Sequence, residues 1–261
     1  MPFTFAHPLY AAPLKLVKPG WFSLTGLVLG SMSPDFEYFW AFEPRETIGH
    51  SLEGLYLFAL PVSCGLALLF HYLIKEPLAT CLPSRFGLDS RARNLIRERE
   101  WRLRKLGDIL KLLVSITIGF FSHVFVDAFT HQSGFFVSRW GVLREELLGF
   151  PIYKLLQHGG SLLGLSVIIL FMIATLKKAS ADVPFEPSVS RGFKTGYGCV
   201  VFAVAILAII VKWTYFGSVN QLGMFVVSSI SGTLLGIIVA SILFAPWIPP
   251  VRKVDKENLT S

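Results

Sequence analysis

The sequence predicts an all-α integral membrane protein, with about five transmembrane helices behind a short N-terminal helical hairpin. Composition is the first observation: 53% of the 261 residues are hydrophobic and only 16% are charged, where a soluble domain carries about 25% charged residues. Pattern is the second. Apolar runs near membrane length recur at 52–74, 107–130, 161–176, 197–216 and 222–244. Charge placement is the third. The formal net charge is +7, and the basic residues gather in the connections, as cytoplasmic loops do.

The hairpin rests on residues 1–50. Leu9 to Val17 is apolar except for Lys15, then Lys18-Pro19-Gly20 breaks the chain. A second apolar piece, Trp21 to Met32, ends at Ser33-Pro34-Asp35. Each piece is about 13 residues, roughly 20 Å as a helix, too short to span comfortably. A turn at Lys18–Gly20 brings His7 and Asp35 to the same end. Asp35 also suits a helix cap. The polar loop from Glu43 to Ser51 then delivers His50 to the start of the first span, which Pro61 is expected to kink.

Residues 75–111 form the most basic stretch. Lys75, Arg85, Arg91, Arg93, Arg97, Arg99, Arg102, Arg104, Lys105 and Lys111 stand against Glu76, Asp89, Glu98, Glu100 and Asp108. Arg91 to Leu106 mixes these charges with apolar residues, as a helix on the membrane surface does. The positive-inside rule puts this stretch, the 177–196 connector and the C-terminal tail in the cytoplasm. Topology accounts for the charge, so nucleic acid is not the expected partner. The N-terminus has no basic region, apolar core and small-residue cleavage site in series, so no cleavable signal peptide is expected. Cys64, Cys81 and Cys199 are far apart and read as packing residues, with neither a disulfide framework nor a thiolate zinc site.

The chemistry lies in the second span. Its end reads Ser122-His123-Val-Phe-Val-Asp127-Ala-Phe-Thr-His131. On a helix, His123, Asp127 and His131 fall at i, i+4 and i+8, on one face. Ionisable groups in such a segment are costly to bury and mark function. Alternation places this end of the span on the outer side, with His7, Asp35, His50 and the His158 loop. Only His71 falls on the other side, where it reads as interfacial or core. Imidazole and carboxylate together suit zinc, with manganese or iron as alternatives. Asp127, between two histidines, is placed to bridge two ions. Glu37 and Glu53 are candidates to fix a histidine tautomer, and Arg139 and Lys154 to meet a substrate phosphate; a surface role fits each as well.

Five stretches also carry a resemblance: the start Met1-Pro-Phe-Thr-Phe-Ala-His7-Pro8, then Gly30-Ser-Met-Ser-Pro-Asp35, Gly49-His50-Ser51, Ser122 to His131, and Tyr153-Lys-Leu-Leu-Gln-His158-Gly159. Together they resemble an uncharacterised family of bacterial membrane proteins, a domain of unknown function. The likeness is densest over 1–165. More loosely, the Pro-Asp, His-Ser and His-x-x-x-Asp elements are similar to those of membrane-bound metal-dependent hydrolases. The order His, Asp, His, His-x-x-x-Asp, His, His resembles the zinc-dependent phospholipase C and single-strand nuclease superfamily. That resemblance implies one zinc on Asp35, His50, His123 and Asp127, a second on His7 and Asp127, and a third on His131 and His158. The chain departs from the pattern where Leu162 stands in place of a Glu, and Met1 in place of a Trp. One to three ions therefore remain open.

The expected activity is hydrolysis of phosphoester bonds in lipid or lipid-linked substrates, at the extracytoplasmic face of a bacterial inner membrane. Asp35 and Asp127 are the expected catalytic residues, and His7, Asp35, His50, His123, Asp127, His131 and His158 the expected ligands. A structural metal site, or an ion or proton transporter, is the alternative. The expected division is a metal-bearing region at 1–165, scaffold helices at 166–246 and a disordered cytoplasmic tail at 247–261.

Overall fold

A computed structural model describes residues 3–98, 101–181, 189–217 and 219–249. Nearly all the regular structure is helical, and five helices are long and apolar enough to cross a membrane. They are α5 (Leu52–Cys81), α7 (Leu106–Thr130), α9 (Ile152–Lys178), α10 (Arg191–Phe216) and α11 (Gln221–Phe244). The shorter helices are α1 (Pro8–Ala11), α2 (Leu14–Val17), α3 (Leu24–Met32), α4 (Phe36–Ala41), α6 (Leu88–Glu98) and α8 (Phe135–Arg139). The chain forms two compact units. The first runs from the N-terminus to Ala67 and resumes over Leu103–Met172; the second takes Leu68–Arg102 and the chain from Ile173 onward. Most of the tail expected to be disordered, 250–261, lies outside the described residues.

In the first unit the N-terminal hairpin forms as expected. Its outward arm is broken into α1 and α2 because Pro13 cannot extend α1. At the turn, the Lys15 ammonium donates to the Pro19 and Phe22 carbonyls. Ser23 starts the return arm, its hydroxyl accepting the Gly26 N–H at 3.2 Å.

The return arm α3 packs against α7 through a seam of small residues. A Cβ on Gly26 would meet Ser115 and Leu112, one on Gly30 would overlap the Ile116 backbone, and one on Gly119 would meet the Leu27 carbonyl at 2.6 Å. Small residues let two backbones close to this distance, as in membrane helix pairs. Leu27, Leu112, Ile116 and Phe120 fill the seam. The Ser23 N–H donates to the Ser115 hydroxyl at 2.8 Å, which in turn donates to the Lys111 carbonyl at 2.6 Å. The buried stripe of α7 runs Leu112, Ser115, Ile116, Gly119, Phe120, then His123, Asp127 and Thr130. One helical face thus holds the hairpin with its lower turns and presents ligands with its upper ones.

Two expectations about the spans need correction. The third was placed at 161–176, but α9 begins at Ile152. Gly159 and Gly160 do not break it. Gly164 lets the helix approach Ala6, where a Cβ would stand 2.8 Å from the Ala6 carbonyl oxygen. Ser161 accepts the Phe3 N–H at 2.9 Å, tying the N-terminus to α9. The first span also runs on, through Lys75-Glu76-Pro77, to Cys81. A wide π turn at Leu55–Ala59 stands just before Pro61, where the proline has no N–H to give.

In the second unit α10 and α11 pack closely, with Gly232 and Gly236 against Ala205 and Val201. The helix expected over Arg91 to Leu106 forms only in its first part, as α6, which ends at Glu98; residues 101–104 are not helical and do not carry it into α7. In α6, Arg91 donates to the Lys177 carbonyl at 2.9 Å, and Asn94 to the Ser180 carbonyl at 2.7 Å. Lys194 pairs with Asp89. His71 is half-buried and stacks on Trp101 with ring centroids 4.1 Å apart.

Candidate metal centre

The first unit brings His7, Asp35, His50, His123, Asp127 and His131 together. Asp35 enters from the turn between α3 and α4, His50 from the loop before α5, and His123 and Asp127 from α7. His7 comes from the turn ahead of α1, stacked on His123 with ring centroids 3.6 Å apart. His131 stands where α7 ends.

Four ligand atoms form the inner set. His123 Nε2 lies 3.1 Å from Asp127 Oδ2 and 3.7 Å from Asp35 Oδ1. His50 Nε2 lies 3.3 Å from Asp127 Oδ2, 3.3 Å from His123 Nε2 and 3.8 Å from Asp35 Oδ1. The other oxygen of Asp127 faces a second set. Its Oδ1 is 3.6 Å from His7 Nε2 and 3.5 Å from His131 Nδ1. Asp127 thus offers one oxygen to each side.

Backbone and hydroxyl groups aim these side chains. His123 Nδ1 donates to the Ser31 carbonyl at 2.7 Å, which leaves Nε2 as a lone pair facing the centre. Asp35 was open to a capping role, but its side chain caps no N–H of α4. Its Oδ2 instead accepts the Thr4 hydroxyl at 2.5 Å. Glu37 accepts from the N–H groups of Thr47, Ile48 and Gly49 and from the Thr47 hydroxyl, and so pins the turn that carries His50. Burial pushes the Glu37 carboxyl up, but these four donors outweigh it and hold it below its ordinary range.

Several polar atoms of the centre make no hydrogen bond. His7 Nε2, Asp35 Oδ1 and Asp127 Oδ1 are buried without hydrogen-bond partners. Such atoms are costly unless something satisfies them. Burial, reinforced by the neighbouring His123, holds the His7 imidazole neutral, its pKa lowered to about 3. Burial likewise pushes the Asp35 carboxyl up; a cation among these atoms would reverse that. Two groups of donors lie close enough to share an ion: His7, His123 and Asp127, and Asp35, His50 and His123. Nitrogen and carboxylate oxygen without thiolate fit zinc, manganese or iron.

The remaining candidates fall elsewhere. His158 is exposed on α9, whose buried positions are Tyr153, Gln157 and Gly164. Because the helix starts at Ile152, residue 158 turns off the face that carries Gln157, and it belongs to neither donor group. Glu53 is exposed, as is Lys154. The Arg139 guanidinium lies over the Phe135 ring, 3.6 Å from its centroid. One partner was not anticipated: Glu46 Oε1 stands 2.9 Å from His50 Nδ1. Its spacing, four residues before His50, was the available signal.

Residues 1–242 match a domain of unknown function, DUF4184, and the chain belongs to that family. No curated protein and no solved structure matches it.

Proposed function

We propose that this member of the DUF4184 family is a membrane-embedded, metal-dependent hydrolase of phosphoester bonds in lipid or lipid-linked substrates. The observation that carries the reading is the spacing of the inner ligand atoms. Two ligands about 2.0–2.1 Å from one tetrahedral ion lie roughly 3.3 Å apart. Of the six separations among the ligand atoms of Asp35, His50, His123 and Asp127, the five that involve His50 or His123 run from 3.1 to 3.8 Å. Carboxylate and imidazole atoms crowd this way around a shared cation, and here some are buried without partners. Zinc is the ion the donor set fits best, with manganese or iron as alternatives.

Asp35, His50, His123 and Asp127 would hold one ion, and His7, His131 and the second Asp127 oxygen another. Such ions, when bound, would supply the two things phosphoester hydrolysis needs: a water of lowered pKa and positive charge against the phosphoryl oxygens. His7, Asp35 and His123 wall the inner side, with side chains 0% exposed. His50 and His131 keep 19% and 26% of their side chains exposed. Structural metal sites are closed, whereas catalytic ones keep an open position. Only the second ion, with His7, His131 and one Asp127 oxygen as its three protein ligands, would keep such a position, and it is on this account that catalysis is favoured over a purely structural role.

The centre lies at the Thr130 end of α7, the end remote from its N-cap Lys105. The positive-inside rule then puts it at the extracytoplasmic face of a bacterial cytoplasmic membrane. A phosphate headgroup at the lipid boundary is the substrate that fits this position. The test is metal analysis of purified protein, with hydrolysis of phosphodiesters and phospholipid vesicles measured alongside. Bound zinc with turnover that Asp127→Asn abolishes supports the proposal. Bound zinc without hydrolysis of any phosphoester would overturn it in favour of a structural site. Ion flux that Asp127→Asn abolishes would favour transport.

A further inference from the structure

The metal centre has two histidines facing Asp35, and each needs its Nε2 lone pair directed inward. His123 achieves this by donating Nδ1–H to the Ser31 carbonyl. Among the described residues no carbonyl accepts from His50 Nδ1. That nitrogen is buried and makes no aligned hydrogen bond. Within reach is one carboxylate oxygen, Glu46 Oε1, at 2.9 Å. We infer that Glu46 is the positioning residue for His50, fixing its tautomer and ring orientation through Nδ1. This rests on the metal centre proposed above.

Three features support the assignment. The other oxygen of Glu46 accepts the Tyr38 hydroxyl at 3.2 Å, a second contact for a carboxylate whose side chain is 51% exposed. Tyr38 is buried, 5% exposed, on α4, the helix that Asp35 precedes. The same helix carries Glu37, which pins Thr47 to Gly49. One short helix therefore sets the inner ligand Asp35 and, through Tyr38 and Glu46, the mouth ligand His50. A carboxylate on the far nitrogen of a ligating imidazole raises its basicity as well as orienting it. That matters most at His50, the more exposed of the two.

The experiment measures zinc affinity of the full-length protein in detergent by chelator competition, together with the visible spectrum after cobalt(II) replacement. Glu46→Ala is expected to weaken zinc binding about 10- to 100-fold, as losing such a partner does, and to alter the cobalt bands. Glu46→Gln keeps an acceptor oxygen without the charge, so its loss should be smaller. Tyr38→Phe should act in the same direction and less still. Glu53→Ala is the control and should match the native protein. Wild-type affinity and an unchanged cobalt spectrum in both Glu46 variants would overturn the assignment, as would equal losses in Glu46→Ala and Glu53→Ala. Should the native protein bind no zinc or cobalt, the metal centre itself is refuted and the role of Glu46 falls with it. Should Glu46→Ala not fold, the Glu46→Gln and Tyr38→Phe measurements decide.

Discussion

Gly30 couples the packing of the hairpin to the chemistry of the centre, and replacing it with alanine shows how. The added Cβ would stand 2.6 Å from Ile116 Cα and 2.7 Å from its carbonyl carbon, and would overlap the carbonyl oxygen. Ordinary contact begins near 3.4 Å. Both partners are backbone, so no side chain can swing aside, and α3 must retreat from α7 by roughly 1 Å. The next residue, Ser31, holds His123 through a carbonyl 2.7 Å from Nδ1. A retreat of that size takes the pair beyond about 3.5 Å, where the hydrogen bond is lost. Overpacking costs about 1–3 kcal/mol, and an unpaired buried donor about 1–3 kcal/mol more. Zinc affinity should fall about 10- to 100-fold once His123 loses its tautomer lock. Thermal unfolding in detergent and chelator competition read the two effects. Gly65→Ala is the control: nothing lies within 4 Å of its Cβ, and alanine within a helix gains about 1 kcal/mol over glycine. Native stability and native zinc affinity in Gly30→Ala would refute the claim that this seam sets the centre.

Further outcomes follow from the same geometry. His7→Gln removes a donor from the outer set alone, and should lower the metal-to-protein ratio by one ion while the inner ion remains; unchanged stoichiometry by elemental analysis would remove His7 from the ligands. Ser115→Ala deletes the hydroxyl that receives the Ser23 N–H, and should cost about 1 kcal/mol in thermal stability, with little change in metal affinity. Glu37→Gln places an amide among donors that need acceptors. On this partly exposed group the cost is about 1–2 kcal/mol, with zinc affinity falling because the turn before His50 loosens. Native affinity there would separate Glu37 from the site.

Much of the architecture was legible because hydrophobic period and length report directly on membrane helices. Lys18-Pro19-Gly20 marked the hairpin turn, and the four-residue spacing from His123 to His131 put the ligands on one face. What periodicity does not report is which carbonyl or carboxylate from a remote segment meets each ligand. Ser31, Thr4 and Glu46 therefore went unassigned: a backbone oxygen leaves no residue signature, and the 43–51 loop has no repeat to read. His158 reads as loop in the sequence because the third apolar run begins only at Ser161. In the fold α9 runs through Gly159 and Gly160, and Gly164 gives it room to approach Ala6. Within a membrane span a glycine marks close packing as readily as a helix end.

Asp127 is the side chain on which both donor sets meet, so its replacement tests the metal centre most directly. Purified native protein and Asp127→Asn, whose amide keeps the shape and loses the charge, are compared for bound zinc, manganese and iron by elemental analysis. The native protein is expected to hold one or two ions per chain and the variant to lose them while remaining folded. Native protein devoid of metal after zinc loading, or a variant holding as much as the native chain, would contradict a cation shared among Asp35, His50, His123 and Asp127.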